Sequence, residues 1–160
     1  MRDDKYADIG ILVGVDGSTS SVRALRWALK EAEATGRRIT ALRVLDLATD
    51  TGMAMTVPRT SDIVAEAKAA LDDTVHRAAF GEPRVPLQTR VEHGHPAAVL
   101  IDYSEHADLL VVGRRGRGGF ATALLGAVSQ YCVHHARCPV VVIPSPPETG
   151  PGELAAEGRA

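Results

Sequence analysis

Five short aliphatic runs alternate along the chain with stretches whose apolar residues recur at helical spacing, and this alternation constrains the fold more than any other feature. The runs are Ile9–Val15, Ile39–Leu45, Leu87–Val91, Leu109–Val112 and Val140–Ile143. Short apolar runs of this kind favour strands buried in a sheet. Leu87–Val91 alternates apolar with polar side chains, which predicts a half-exposed strand near an edge.

Helical patterns fill the intervals between these strands. Ser20 and Ser21 are predicted to cap the first helix, which ends at Gly36. The other helices are predicted over Ser61–Phe80, from Pro96 to near His106, and over Gly126–Ala136. Because helices separate successive strands, the strands should run parallel. We therefore expect an α/β fold with a doubly wound five-stranded parallel sheet and helices on both faces, of the flavodoxin or Rossmann-like kind.

Length and composition favour one such domain. The chain has 160 residues, 45% of them hydrophobic and only 4% aromatic, so the core must be largely aliphatic. We expect an N-terminal extension at 1–8, the domain at 9–144 and a disordered Pro/Gly-rich tail at 145–160, with a long loop at 48–59 inside the domain. The first eight residues contain no apolar region typical of a secretory signal, and no run reaches membrane-spanning length, which predicts a cytoplasmic protein.

Charge, cysteine and histidine content argue against several classes of function. The net charge of −2 gives no global field for nucleic acid or anionic membranes. Cys132 and Cys138 are predicted to be reduced thiols. Neither Cys132 with His135 nor His93 with His95 has further ligands nearby in the sequence to complete a metal site.

Two segments carry the chemistry. Asp16-Gly17-Ser18 follows the first strand, and the glycine-rich segment 113–119 (GRRGRGG) follows the fourth. Ligands of open parallel sheets lie beyond the carboxyl ends of the strands, so both segments should face one crevice. Glycines allow backbone N–H groups to approach anionic oxygens, and the helix beginning near Gly126 adds its positive end. Phosphate binding is the interpretation that these features favour, and a solvated surface loop is the alternative.

The helix start and the arginines of the loop supply the candidate phosphate ligands. Gly126, Ala127, Val128 and Ser129 are positioned to donate backbone N–H groups, and the Ser129 hydroxyl is a further candidate ligand. The arginines that could pair with phosphate are Arg114, Arg115 and Arg117.

The spacing Gly113-x2-Gly116-x9-Gly126, with VDGS at 15–18 and the closing VVVIP, resembles the nucleotide-binding pattern of the ATP-binding branch of the universal stress protein family. The resemblance covers roughly residues 9 to 144. It implies that Asp16 and Val44 contact the adenine end and that Gly14 lines the floor. It places Val112 and Gly113 on the ribose side, and it assigns the phosphates to Gly116, Gly126, Val128 and Ser129.

One position departs from this pattern. The family usually has Ser or Thr after the last motif glycine, and this chain has Ala127. A hydrogen bond contributes about 0.5–1.5 kcal/mol, so the missing hydroxyl should weaken binding by about tenfold without abolishing it.

The function implied by the resemblance is binding of ATP, together with Mg²⁺, by a stress-response sensor or regulatory module. The sequence shows no Ser-His-Asp pattern, no second carboxylate at a defined spacing and no Walker lysine. It therefore gives no indication of an efficient enzyme. A slow ATP hydrolase and an interaction protein of the same fold without nucleotide remain alternatives, whereas the scarcity of aromatics disfavours a flavin carrier. The uncharged run of Val140, Val141, Val142 and Ile143 predicts a homodimer formed through the last strand.

Overall fold

The computed structural model describes residues 4–46, 59–115 and 124–146. Its centre is a five-stranded sheet with the strand order β3-β2-β1-β4-β5, in which every neighbouring pair is parallel. The strands are β1 (Gly10–Gly14), β2 (Ile39–Leu45), β3 (Leu87–His93), β4 (Ala107–Gly113) and β5 (Val140–Ile143). The predicted fold class is confirmed.

Helices cover both faces of this sheet. They are α1 (Thr19–Thr35), α2 (Thr60–Ala79), α3 (Pro96–Ser104) and α4 (Ala127–His135). Helices α1 and α2 contact each other over one face, and α3 and α4 contact each other over the opposite face. The side chains of β1 alternate between two cores, because Ile11 and Val13 face α1 whereas Leu12 faces α3. Both cores are almost entirely aliphatic, as the composition requires.

The turn after β1 corrects one prediction. The N-cap of α1 is Ser18, with φ −68° and ψ 158°, and its Oγ accepts a hydrogen bond from the Ser21 amide at 3.2 Å. The prediction that Ser20 and Ser21 cap this helix is wrong, because both already lie inside its first turn. Gly36 ends the helix with φ 70°, a left-handed conformation that glycine adopts without strain.

Strand pairing sets the remaining bounds. Strand β3 continues to His93 because it pairs with β2 from Ile39 opposite Leu87 to Leu45 opposite His93. Strand β4 begins at Ala107, two residues before the predicted start, because Gly10 pairs with it there. Hydropathy alone underestimates the length of both strands, since their terminal residues are polar or small.

Residues 4–8 lie against β3 and α3. The Tyr6 ring packs edge-on against Tyr103 at 5.1 Å and is stacked on His106 at 4.7 Å between centroids. Lys5 forms an ion pair with Glu92, Nζ to Oε2 at 3.3 Å. The guanidinium of Arg90 donates to the Lys5 and Ala7 carbonyl oxygens. The described part of the predicted extension is therefore attached to the domain.

Some predictions fall outside the described residues. The predicted loop at 48–59 does so except for Arg59, as do residues 147–160 of the predicted tail. Within the three described ranges, no helix is both long enough and apolar enough to cross a membrane.

Candidate functional site

The site lies where the strand order reverses. Strands β1 and β4 are neighbours in the sheet, with Val13 opposite Val111, but the chain leaves them for helices on opposite faces. A crevice forms between such diverging connections in doubly wound folds. The structure thus brings the ends of β1 and β4, which carry Asp16-Gly17-Ser18 and the start of the glycine-rich segment, to the same edge of the sheet.

Helix α4 begins at this edge with unpaired amides. Its N-cap is Gly126, and no side chain caps it. The first helical bond runs from the Gln130 amide to the Gly126 carbonyl oxygen at 2.9 Å. The amides of Ala127, Val128 and Ser129 therefore have no acceptor within the helix and no hydrogen bond to any residue of the described ranges. They form a set of N–H donors at the positive end of the helix dipole.

Hydrogen bonds join Arg114, in the glycine-rich segment, to Leu124 and Gly126, which directly precede α4. The Gly126 amide donates to the Arg114 carbonyl oxygen at 2.7 Å, and Arg114 Nε donates to the Leu124 carbonyl oxygen at 2.5 Å. The Arg114 amide in turn donates to the Ile143 carbonyl oxygen at 2.8 Å, which anchors this residue to β5. The start of α4 is thereby fixed relative to the end of the sheet.

Ser129 has a different role from the one predicted for its hydroxyl. The side chain is buried, and its Oγ donates to the Gly113 carbonyl oxygen at 2.5 Å. The hydroxyl proton is engaged in this bond, so the candidate donor that remains on Ser129 is its backbone N–H. That the Ser129 N–H donates to a phosphate stays a prediction.

The other end of the crevice is formed by β1, β2 and β4. Val44 and Val112 pack in the same apolar cluster on the α3 side of the sheet. Asp16 is half-buried, and its Oδ1 accepts a hydrogen bond from the Ser18 amide at 2.9 Å. A Cβ on Gly14 would lie 3.2 Å from Leu100 Cδ1, so glycine lets β1 pack closely under α3.

Sequence reasoning missed the N-cap role of Ser18, the contact of Ser20 with Gly113 and the hydrogen bonds of Arg114. Ser18 was recognisable, because Asp-Gly-Ser after a buried strand is typical of a helix cap. The hydrogen bonds of Arg114 and the close contact between Gly113 and Ser20 carry no local sequence signal. The predicted site residues Gly116 and Arg117 lie outside the described residues.

The cysteines lie away from this edge, in the core between α4 and the sheet. Both thiols are free, and burial raises the pKa of Cys132 to about 11. A thiol with such a pKa is a poor nucleophile and metal ligand at neutral pH. Across 4–46, 59–115 and 124–146, no cluster of three or more His, Cys, Asp or Glu residues could hold a metal ion.

The fold and this site define a doubly wound α/β domain in which the N-terminus of α4 lies at the switch point of the sheet. The chain belongs to the universal stress protein family, whose sequence model matches residues 10–144. It is 36% identical over 141 residues to a universal stress protein of Mycolicibacterium smegmatis. The aligned region covers 85% of this chain and 48% of that protein. The chain spans about half the length of the curated relatives it matches.

Solved structures of universal stress proteins superimpose on this chain. The universal stress protein UspA from Lactobacillus plantarum superimposes with a TM-score of 0.66 at 28% identity, over 85% of this chain and 97% of that one. A universal stress protein family member from Arabidopsis thaliana, solved with AMP bound, superimposes with a TM-score of 0.57 at 24% identity, over 92% and 99% of the two chains. The latter likeness establishes the shared fold.

Proposed function

We propose that this domain binds ATP or a related adenine nucleotide, together with Mg²⁺, and acts as a sensor or regulatory module in a stress response. The observation that carries the proposal is the start of α4, where three successive amides have no acceptor among the described residues and lie at the carboxyl ends of the strands, where the strand order reverses. Backbone N–H groups at a helix N-terminus are well suited to phosphate oxygens.

The hydrogen bonds around Arg114 support this proposal. They fix the amides of Ala127, Val128 and Ser129 before any ligand arrives, so little conformational entropy is lost when an anion binds. Gly116 and Arg117 belong to the proposed phosphate contacts through the glycine spacing.

Apolar and acidic residues beside the phosphate end are the proposed contacts of the nucleoside. Val44 and Val112 provide an apolar surface for a base and ribose, with Gly14 beneath and Gly113 alongside. The Asp16 carboxylate can accept a hydrogen bond from a nucleoside donor. The AMP-bound relative from Arabidopsis thaliana shares the fold and supports an adenine nucleotide as the ligand class.

Mg²⁺ fits this site as a companion of the nucleotide. Mg²⁺ commonly keeps several waters and binds through substrate phosphates with one or two carboxylates, so it does not need a cage built by the protein. When bound, the ion would neutralise phosphate charge.

The proposal assigns no catalytic residue. Positioned phosphates and Mg²⁺ supply part of the effect needed for phosphoryl transfer, so slow hydrolysis of bound ATP is compatible with it. Binding, and the conformational response to binding, is the proposed activity. Cytoplasmic location is part of the same proposal.

Titration calorimetry with MgATP tests this function. The wild-type protein should bind with a dissociation constant between about 1 µM and 1 mM. Gly126→Val should weaken binding at least about tenfold, because φ −67° and ψ 159° accept valine while its branched side chain crowds the open amides. Gln130→Val places the same side chain on an exposed position of α4 and should bind normally.

Two results would contradict the proposal. Absence of heat and of any thermal shift at millimolar MgATP would exclude the function and favour an interaction protein without nucleotide. Equal affinity of Gly126→Val and wild type would locate the nucleotide elsewhere.

A further inference from the structure

The first turn of α1 leaves two backbone donors unused. The Ser18 amide donates to Asp16 Oδ1 at 2.9 Å, and the Ser21 amide donates to Ser18 Oγ at 3.2 Å. The Val22 amide begins the helical pattern by donating to the Ser18 carbonyl oxygen at 3.1 Å. The amides of Thr19 and Ser20 remain, and neither forms a hydrogen bond to any part of the chain that the structure describes.

A buried hydroxyl without a partner lies at the same place. Ser20 is only 6% exposed, and its Oγ has no hydrogen-bond partner in the part of the chain that the structure describes. Burying a hydroxyl without a hydrogen bond is unfavourable, and alanine would fit the same helical position without that penalty. Buried polar groups left unpaired in this way call for a ligand or a functional reason.

Ser20 adjoins the candidate nucleotide site. Its Oγ lies 2.8 Å from the position that a Cβ on Gly113 would occupy, so the hydroxyl touches the last residue of β4, where the glycine-rich segment begins. It lies on the α1 side of the sheet, whereas the open amides of α4 lie on the other side. Two positive helix ends therefore flank the end of β4.

Arg23 adds charge to the same flank of α1. It follows Ser20 by three residues, so the two side chains are neighbours on the helix surface. Its guanidinium Nε is buried and also lacks a hydrogen-bond partner among the described residues. In the described ranges, no carboxylate forms an ion pair with Arg23.

We propose that Ser20, the amides of Thr19 and Ser20, and Arg23 form a second phosphate subsite, which binds the terminal phosphates of a nucleoside triphosphate. This inference rests on the proposed function and adds to it that the bound nucleotide carries three phosphates. The subsite and the amides of α4 lie on opposite sides of β4, so a polyphosphate chain that crosses the end of β4 would place its terminal phosphates at the subsite while its first phosphate stays at α4. The subsite therefore selects ATP over AMP.

The variant Ser20→Ala separates this role from a structural one. It should weaken MgATP binding at least about tenfold, the loss expected for a hydrogen bond to a charged group, and leave AMP affinity unchanged. The free protein should melt at the same or a higher temperature, because an unpaired buried hydroxyl is removed. Arg23→Gln should also lower the affinity for ATP relative to AMP.

Ser21→Ala is the matched control. The Ser21 hydroxyl already donates to the Ser18 carbonyl oxygen at 2.9 Å, so its removal should lower thermal stability without changing the ratio of ATP to AMP affinity. An unchanged ratio in both Ser20→Ala and Arg23→Gln, or a wild-type protein that binds AMP as tightly as ATP, would overturn the subsite alone. A wild-type protein that binds neither nucleotide would overturn the proposed function with it.

Discussion

The hydroxyl of Ser129 donates a 2.5 Å hydrogen bond to the carbonyl oxygen of Gly113 and so joins the first turn of α4 to the last residue of β4. A second bond joins the same two parts of the chain, from the Gly126 amide to the Arg114 carbonyl oxygen. The helix end that faces the crevice is therefore held by contacts with Gly113 and Arg114, the first two residues of the glycine-rich segment. Affinity for an anion should depend on these contacts as well as on the glycines themselves.

Ser129→Ala removes this tie and tests its importance. The free energy of unfolding should fall by about 1–2 kcal/mol, because the carbonyl oxygen of Gly113 loses a buried donor. ATP affinity should fall less than in Gly126→Val, since the Ser129 N–H is retained. Urea unfolding and calorimetry measure the two effects.

The neighbouring Gln130→Ala is the control for the Ser129 tie, because that side chain is exposed on the same helix. Its stability should match the wild type. A Ser129→Ala protein as stable as Gln130→Ala would show that the hydrogen bond contributes nothing to the attachment of α4.

Ala127→Ser restores the hydroxyl that the resemblance leads one to expect. Ala127 is exposed at the first position of α4, so the added hydroxyl meets no packed neighbour. ATP should bind up to about tenfold more tightly through one additional hydrogen bond to phosphate. Calorimetry on Ala127→Ser and Ala127→Val separates this effect from side-chain size, and equal affinities in the two variants would contradict it.

The sequence allowed the sheet to be predicted well because its strands are short, aliphatic and separated by helices. The predicted bounds of Ile39–Leu45 and Val140–Ile143 coincide with β2 and β5. The cap of α1 was misplaced because three serines compete locally, and only the backbone conformation of Ser18 decides among them. Hydrogen-bond direction at Ser129 depends on the distant Gly113 carbonyl oxygen, which no spacing pattern encodes.

Tyr103 makes stability sensitive to alkaline pH. It is fully buried, and its hydroxyl donates a 2.5 Å hydrogen bond to Glu92 Oε1. Burial, and then this bond, raise the pKa of Tyr103 from 10.0 to about 12, although the nearby Arg90 opposes the shift. The unfolded chain loses the proton near pH 10 while the folded protein keeps it, so this contribution to stability is complete below pH 10 and is lost as pH rises to about 12.

Tyr103→Phe should therefore flatten the decline of unfolding free energy between pH 10 and about 12, as followed by urea unfolding at a series of pH values. At neutral pH the variant should be less stable by about 1 kcal/mol, because Glu92 loses one of its donors. Tyr131→Phe, on an exposed residue of α4, should leave the slope unchanged. A wild-type slope in Tyr103→Phe would contradict the assignment.

Among the described residues, strand β5 pairs only with β4, and its outer edge favours a homodimer. The Leu110 amide donates to the Pro139 carbonyl oxygen at 2.9 Å and the Arg114 amide to that of Ile143 at 2.8 Å, so these carbonyls point towards β4. Because peptide directions alternate along a strand, the N–H and C=O groups of Val140 and Val142 point outwards. An uncharged edge of this kind is open to pairing with another strand.

A second copy related by a two-fold axis would place its β5 antiparallel to the first and pair Val140 and Val142 with their counterparts. Light scattering should then give about twice the chain mass of 16.9 kDa. Val142→Pro removes an outward N–H while sparing the bonds to β4, and it should shift the protein to monomer with its circular dichroism spectrum retained. Val142→Thr keeps the N–H and the branched shape and should remain dimeric. Val140→Lys provides a second disruption by charge, and a wild-type monomer at micromolar concentration would refute the dimer.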